Sequence, residues 1–130
     1  MAGKTPLSLT IEAAKRVHRR LGPGHGVAEY NRALRAELQR AGLRVLPRPA
    51  VRVHGKYGHS TYLGSPDLLV RNGRREALLV SVSAAEAVPA DRRERMGLYL
   101  AAWRGPARGL VLAFGAPLPL WTVVRKEENR

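Results

Sequence analysis

The chain contains no cysteine, so disulfide bonds, thiolate zinc sites and cysteine nucleophiles are excluded. It also lacks any apolar run near the roughly 20 residues that span a bilayer. Residues 1–10 do not contain the apolar core of a secretory signal. We therefore expect a cytoplasmic protein that makes no contact with membranes.

Acidic residues are few. The chain has 10 Asp and Glu against 23 Lys and Arg, and its formal net charge is +13. A positive charge of this size favours polyanions, with DNA or RNA as the first expected partner. Only four of the basic residues are lysines. An arginine-rich composition also accompanies a GC-rich genome, so the charge alone does not decide the function.

A length of 130 residues with an apolar fraction of 45% predicts one folded domain over residues 1–130, with flexible ends at 1–7 and 126–130. Apolar residues at spacings of three and four predict three helices, and Thr10 is expected to cap the first. We expect Trp103 and Trp121 in the core. The predicted helices cover residues 9–21, 27–41 and 89–103, and further extended segments cover residues 43–53, 109–115 and 120–124.

The central stretch of the chain contains a hairpin signal. Two apolar runs, residues 68–70 and 77–82, flank the dipeptide Asn72-Gly73, which strongly favours a tight turn between antiparallel strands. With the other elements, this pair predicts an α/β protein in the order α-α-β-β-β-α-β-β.

Two motifs point to a known family. Residues 17–24, with the sequence VHRRLGPG, are followed by Tyr30 and the pair Ala33-Leu34. This opening resembles the GxxExxY protein family, a compact bacterial branch of the PD-(D/E)XK nuclease superfamily. Pro66-Asp67, at the head of a strand, resembles the start of that superfamily's active-site motif. The resemblance implies a restriction-endonuclease-like core, in which helices flank a central mixed β-sheet.

The same resemblance implies where chemistry would occur. Active members add an acid and, two positions later, a lysine on the neighbouring strand, and the carboxylates hold a divalent metal. Ser81 and Ser83 stand at those two positions here, while Val27 and Arg95 replace a glutamate and a glutamine of the family pattern. The implied site is degenerate, without metal or cofactor, and consists of Asp67, Ser81, Ser83 and Tyr30.

Three functions are compatible with these observations. The first is an inactive nuclease-fold protein that binds DNA or RNA through arginines around the cleft. The second is an active nuclease dependent on Mg²⁺ or Mn²⁺, with Asp67, Glu76 and Glu86 as relocated ligands. The third is a structural or assembly module that acts through protein contacts, including those of a homodimer. The arginines predicted to bind nucleic acid are Arg19, Arg20, Arg71, Arg74, Arg75, Arg92, Arg93 and Arg95.

Overall fold

The computed structural model of the chain describes residues 4–73 and 75–127. Arg74, one of the predicted nucleic-acid ligands, lies outside the described residues. The helices are α1 (Pro6–Leu21), α2 (Val27–Arg40) and α3 (Ala90–Ala102), and a single 3₁₀ turn covers Lys56–Gly58. The strands are β1 (Arg44–Pro47), β2 (Val51–His54), β3 (Ser60–Gly64), β4 (Leu68–Arg71), β5 (Ala77–Ser83), β6 (Ala107–Ala113) and β7 (Leu120–Arg125).

Five strands form the central sheet in the order β1-β4-β5-β6-β7. β5 and β6 are parallel, with Leu79 opposite Gly109, while the other neighbouring strands are antiparallel. Parallel strands need a crossover connection, and α3 supplies it between β5 and β6. β2 and β3 form a separate antiparallel pair. The predicted α/β fold with a mixed central sheet is confirmed.

Helices cover both faces of this sheet. Side chains alternate between the faces of a strand, and in β5 Leu78, Val80 and Val82 pack in the cluster formed with α1 and α2. Leu79 packs in a second cluster with Met96 of α3. The alternation places Ser81 and Ser83 on the α3 face. Because β5 is buried along its whole length, it is the central element of the fold.

The first helix begins earlier than predicted. The side chain of Thr5 accepts a hydrogen bond from the backbone N–H of Ser8 (3.1 Å) and caps the helix, and Pro6 occupies its first turn, a position that suits proline. Thr10, the predicted cap, is instead buried within α1. The prediction of the cap was therefore wrong, because Thr5-Pro6 already provides a complete helix start.

The extended segment predicted over residues 43–53 is two strands in different sheets. Arg48, between Pro47 and Pro49, has a positive φ of 49°, which turns the chain away from β4. β2 then pairs with β3, so five strands precede α3 instead of the predicted three. Trp103 is half-buried against the α3 cluster. Trp121 is exposed on the edge strand β7, and its predicted place in the core was wrong.

Candidate functional site around Asp67

Asp67 lies directly before β4, and its backbone extends the strand pairing. Its N–H donates to the carbonyl of Val80 (2.9 Å), and its carbonyl accepts from the N–H of Arg48 (2.8 Å). Its carboxylate accepts two further hydrogen bonds, at Oδ2 from the N–H of Val82 (2.6 Å) and at Oδ1 from the side-chain amide of Asn31 (3.2 Å). Asp67 is thus fixed between Val82 of β5 and Asn31 of α2.

The two serines of β5 have different environments. Both are buried. The hydroxyl of Ser81 accepts a hydrogen bond from Arg92 (3.1 Å). The hydroxyl of Ser83 accepts one from the N–H of Ala85 (3.0 Å) and so caps the turn after the strand. The structure therefore brings Ser81 together with Asp67, whereas Ser83 supports the local backbone.

Arg92, in the first turn of α3, connects the parts of this site. Its Nη1 atom donates to Oγ of Ser81 (3.1 Å) and to the carbonyl of Val82 (3.2 Å), and it lies 3.9 Å from Oδ2 of Asp67. A hydroxyl, a carbonyl and a carboxylate oxygen are the kinds of ligand that a hard cation uses. Here a guanidinium nitrogen is in contact with all three.

This group of side chains does not fit a catalytic divalent metal. Mg²⁺ requires near-octahedral oxygen coordination, usually with one or two carboxylates. Asp67 and Asp91 both line the small depression beside Ser81, but Nη1 of Arg92 already contacts Asp67, Ser81 and Val82, so a cation could reach those oxygens only by displacing the guanidinium. Among residues 4–73 and 75–127, no group of three His, Cys, Asp or Glu residues is arranged to hold a metal.

The relocated acids do not complete the site either. Glu76 precedes β5 and pairs with Arg108, whereas the carboxylate of Asp67 contacts Val82 near the other end of that strand. Six residues of strand separate the two positions by about 20 Å. Glu86 is exposed beyond the end of β5.

Tyr30 lies in a different place from Asp67. Its hydroxyl donates to the carbonyl of Gly22 (2.6 Å) and accepts from the N–H of His25 (3.2 Å), and its ring stacks on Phe114 with centroids 4.6 Å apart. It is completely buried. These contacts hold the glycine-rich turn between α1 and α2 against the core, which is a structural role.

Arginines lie on both sides of Asp67. The depression next to α3, of about 240 Å³, is lined by Arg92 and Arg95. A second depression of about 600 Å³ lies between α2 and β1, and Asp67 lines it as well. Together these two depressions form what we name the Asp67 cleft. Its basic residues are Arg32, Arg35, Arg48, Arg92 and Arg95.

Three of these arginines were missed in the sequence. Arg32 and Arg35 are one helical turn apart on α2, next to Asn31, and this spacing was the available signal for a shared face. Arg48 had no such signal, because the pairing of β1 with β4, which sets Pro47 opposite Leu68, is what brings it to Asp67. Arg48 has the positive φ described above, and its N–H contact to Asp67 fixes it there.

The other predicted arginines lie elsewhere. Arg71 is at the far end of β4 from Asp67, and Arg75 follows in the hairpin loop. Arg93 is exposed on α3 without lining the cleft. Arg20 pairs with Glu37 (3.6 Å). Arg19 lines a separate groove next to Trp121.

A protein-family comparison decides the relationship that the fold and the Pro66-Asp67 strand indicate. The family model described as the PD-(D/E)XK nuclease superfamily matches residues 5–125. The chain belongs to the PD-(D/E)XK nuclease superfamily. The central mixed sheet and its flanking helices are those of a restriction-endonuclease-like core, as the resemblance implied.

Comparisons with individual proteins are more distant. A solved structure described as the crystal structure of SSO0001 shares 8% sequence identity and a TM-score of 0.48 with this superfamily member, over 99% of this chain and 72% of that one. A comparison with curated proteins gives no match. Over residues 4–73 and 75–127, no helix combines the length and the apolar character needed to cross a bilayer.

Proposed function

We propose that this protein has lost nuclease activity and binds nucleic acid through the arginines of the Asp67 cleft. One observation carries the proposal: Nη1 of Arg92 contacts Asp67, Ser81 and Val82 at the position where a catalytic cation would find its oxygen ligands. We assign the chain to a degenerate GxxExxY-like branch on the residues 17–24, Tyr30 and Pro66-Asp67.

The loss of hydrolysis follows from what the site residues can do. A metal activates water by lowering its pKa, and it stabilises the charge that develops on the phosphate. The arginine side chain stays protonated and cannot accept a proton from water. Ser81 and Ser83 supply neutral hydroxyls where the superfamily pattern has an acid and a lysine. The site can therefore attract a phosphate, but it lacks the second acid and the lysine with which the superfamily pattern binds a metal and activates water.

Binding is favoured by the uncompensated charge of the cleft. Among the described residues, Arg32, Arg35, Arg48 and Arg95 form no ion pair with a carboxylate. Guanidinium groups bind phosphate oxygens with paired N–H donors. Contacts to phosphates position a protein on nucleic acid without reading its sequence, so we expect binding of both DNA and RNA with little sequence preference.

The salt dependence of binding gives a quantitative prediction. Four phosphate contacts, one for each of these unpaired arginines, release enough counterions to lower the affinity for duplex DNA about 150-fold between 50 and 200 mM salt. Measuring the dissociation constant by fluorescence anisotropy at several salt concentrations tests this value. A dissociation constant that hardly changes with salt would contradict a binding surface made of arginines.

The direct experiment incubates the protein with duplex DNA and with RNA at low salt, with EDTA or with Mn²⁺, on gels that resolve complexes and fragments. We expect a shifted, intact nucleic acid in both conditions. The pair Arg32→Glu/Arg35→Glu should abolish the shift. The pair Arg104→Glu/Arg125→Glu makes the same change of charge at the opposite end of the sheet and should preserve it.

Two outcomes would favour the other functions. Mn²⁺-dependent fragments that disappear with Asp67→Ala would mean that the protein is an active nuclease. The absence of any shift, together with elution at a multiple of the 14.3 kDa chain mass, would favour an assembly module such as a homodimer.

A further inference from the structure

A second groove lies on the α1 face of the molecule, at the edge strand β7. It has a volume of about 670 Å³ and is separate from the Asp67 cleft. We name it the Trp121 groove. Its principal lining residues are Lys15, Arg19, Pro117, Leu118, Pro119 and Trp121.

Two large apolar side chains that line the groove are exposed to solvent. Trp121 is 36% exposed and Leu118 is 73% exposed. The neighbouring loop is constrained, because two prolines restrict its backbone and the ring nitrogen Nε2 of His18 donates to the carbonyl of Ala116 (2.7 Å). The groove is thus a fixed feature with an aromatic side chain at its surface.

The charges of α1 are divided between two faces. Arg16 and Arg20 both pair with Glu37, at 3.2 and 3.6 Å. Lys15 and Arg19 line the Trp121 groove, and neither forms an ion pair within the described part of the chain. The ammonium of Lys15 lies 5.4 Å from the centroid of the Trp121 ring. The groove therefore presents uncompensated positive charge beside an aromatic face.

We propose that the Trp121 groove binds an unpaired nucleotide of single-stranded nucleic acid. The base stacks on the indole of Trp121, and the adjacent phosphates contact Lys15 and Arg19. Stacking of a base on an aromatic side chain is stronger than an exposed cation–π contact. A base therefore displaces the Lys15 ammonium from the ring, and the ammonium gains a phosphate partner.

The Trp121 groove and the Asp67 cleft are close enough for one nucleic-acid strand to contact both. Asp67 precedes β4, and Trp121 is near the start of β7. Register places both near the end of the sheet where β5 and β6 finish. Three strand spacings separate β4 from β7 by roughly 14 Å. The inference rests on the proposed nucleic-acid binding, but it assigns a different contact and a preference for unpaired strands.

The test uses the full chain carrying Trp103→Phe, which leaves Trp121 as its single tryptophan, since the sequence has two. Titration with a ten-nucleotide oligothymidylate should quench tryptophan emission in a saturable manner. In the native background, Trp121→Ala should weaken binding of this oligonucleotide about tenfold, the size expected for loss of one stacked base. Affinity for duplex DNA should be unchanged.

A matched pair of variants tests the charges. Lys15→Ala/Arg19→Ala should weaken binding of the oligonucleotide, whereas Arg16→Ala/Arg20→Ala removes the same charge from the other face of α1 and should have a smaller effect. Thermal unfolding of each variant confirms that it is folded.

The outcomes separate this inference from the proposed function. Tight oligonucleotide binding with unchanged Trp121 emission and no loss in Trp121→Ala would overturn the inference alone. Stronger quenching by an acidic peptide than by the oligonucleotide would overturn it in favour of a protein partner. If neither duplex nor single-stranded nucleic acid binds, the inference and the proposed function both fail.

Discussion

Replacing Arg92 by methionine tests whether this guanidinium takes the place of a cation. The variant keeps much of the aliphatic side chain and removes the donors to Ser81 and Val82, as well as the positive charge 3.9 Å from Asp67. Each lost hydrogen bond is worth about 1 kcal/mol. The ion pair adds less, because the side chain of Arg92 is 39% exposed and water screens it.

We therefore expect Arg92→Met to lower the free energy of unfolding by about 2 kcal/mol in total. For a domain of this size that is a fall in Tm of about 8 °C. Differential scanning calorimetry measures both quantities. Arg95→Met is the matched control, because Arg95 lines the same depression but makes no hydrogen bond to Asp67, Ser81 or Val82. It should change the free energy of unfolding by less than about 0.5 kcal/mol.

A second measurement on the same variant examines the vacated position. Without the guanidinium, the oxygens of Asp67, Ser81 and Val82 are accessible to a divalent ion. For a dissociation constant near 1 mM, 10 mM Mn²⁺ would stabilise Arg92→Met by about 1.4 kcal/mol. The native protein and Arg95→Met should gain little. Equal stabilisation of all three proteins by Mn²⁺ would refute the idea that Arg92 occupies a cation position, as would an Arg92→Met variant as stable as the native protein.

Three further predictions concern the scaffold. The hydrogen bond from His25 lowers the pKa of the Glu29 carboxyl below its usual value of 4.5. The stability contributed by ionised Glu29 is therefore present above pH 4.5 and is lost as the pH falls through the lower pKa of the folded state. An NMR titration of Glu29 should show the lowered pKa, and Glu29→Gln should remove this part of the acid sensitivity. Tyr30→Phe removes a buried hydroxyl with two hydrogen bonds. It should lower the free energy of unfolding, measured with urea, by about 2 kcal/mol and leave the affinity for DNA unchanged. A loss of affinity without a loss of stability would instead make Tyr30 a site residue. Gly115→Ala places a Cβ against backbone atoms of the turn after β5 and should lower the Tm by several degrees, whereas Gly97→Ala in α3 meets no atom within 4 Å and should be neutral or stabilising by up to about 1 kcal/mol.

The hairpin of β4 and β5 could be predicted from the sequence because its signal is local. Asn72-Gly73 and the two apolar runs lie within a few residues of each other, and the antiparallel pairing of the two strands is confirmed. The connection is longer than the predicted tight turn, because β4 ends at Arg71 and β5 begins at Ala77. The helix boundaries were also close, since Gly42, with its φ of +85°, follows α2 as a glycine should.

Features that depend on which strand lies at an edge could not be predicted. A tryptophan in an apolar strand is usually buried, but β7 has only one neighbouring strand, and this leaves Trp121 exposed. The membership of the Asp67 cleft depends in the same way on three-dimensional proximity. α2, the β1–β2 connection and α3 bring their arginines to Asp67 from distant parts of the chain, whereas Arg71, close in sequence, points to the other end of β4.

The hydrogen bond between Asp67 and the N–H of Val82 also bears on how such chains are classified. β4 starts at Leu68, so the carboxylate of Asp67 satisfies a β5 N–H beyond the last residue that β4 can pair. An aspartate at this position is useful to the fold whether or not any phosphodiester is cleaved. A search that counts Pro66-Asp67 as a mark of catalysis would therefore also report chains in which the aspartate is kept only for its hydrogen bond to the neighbouring strand.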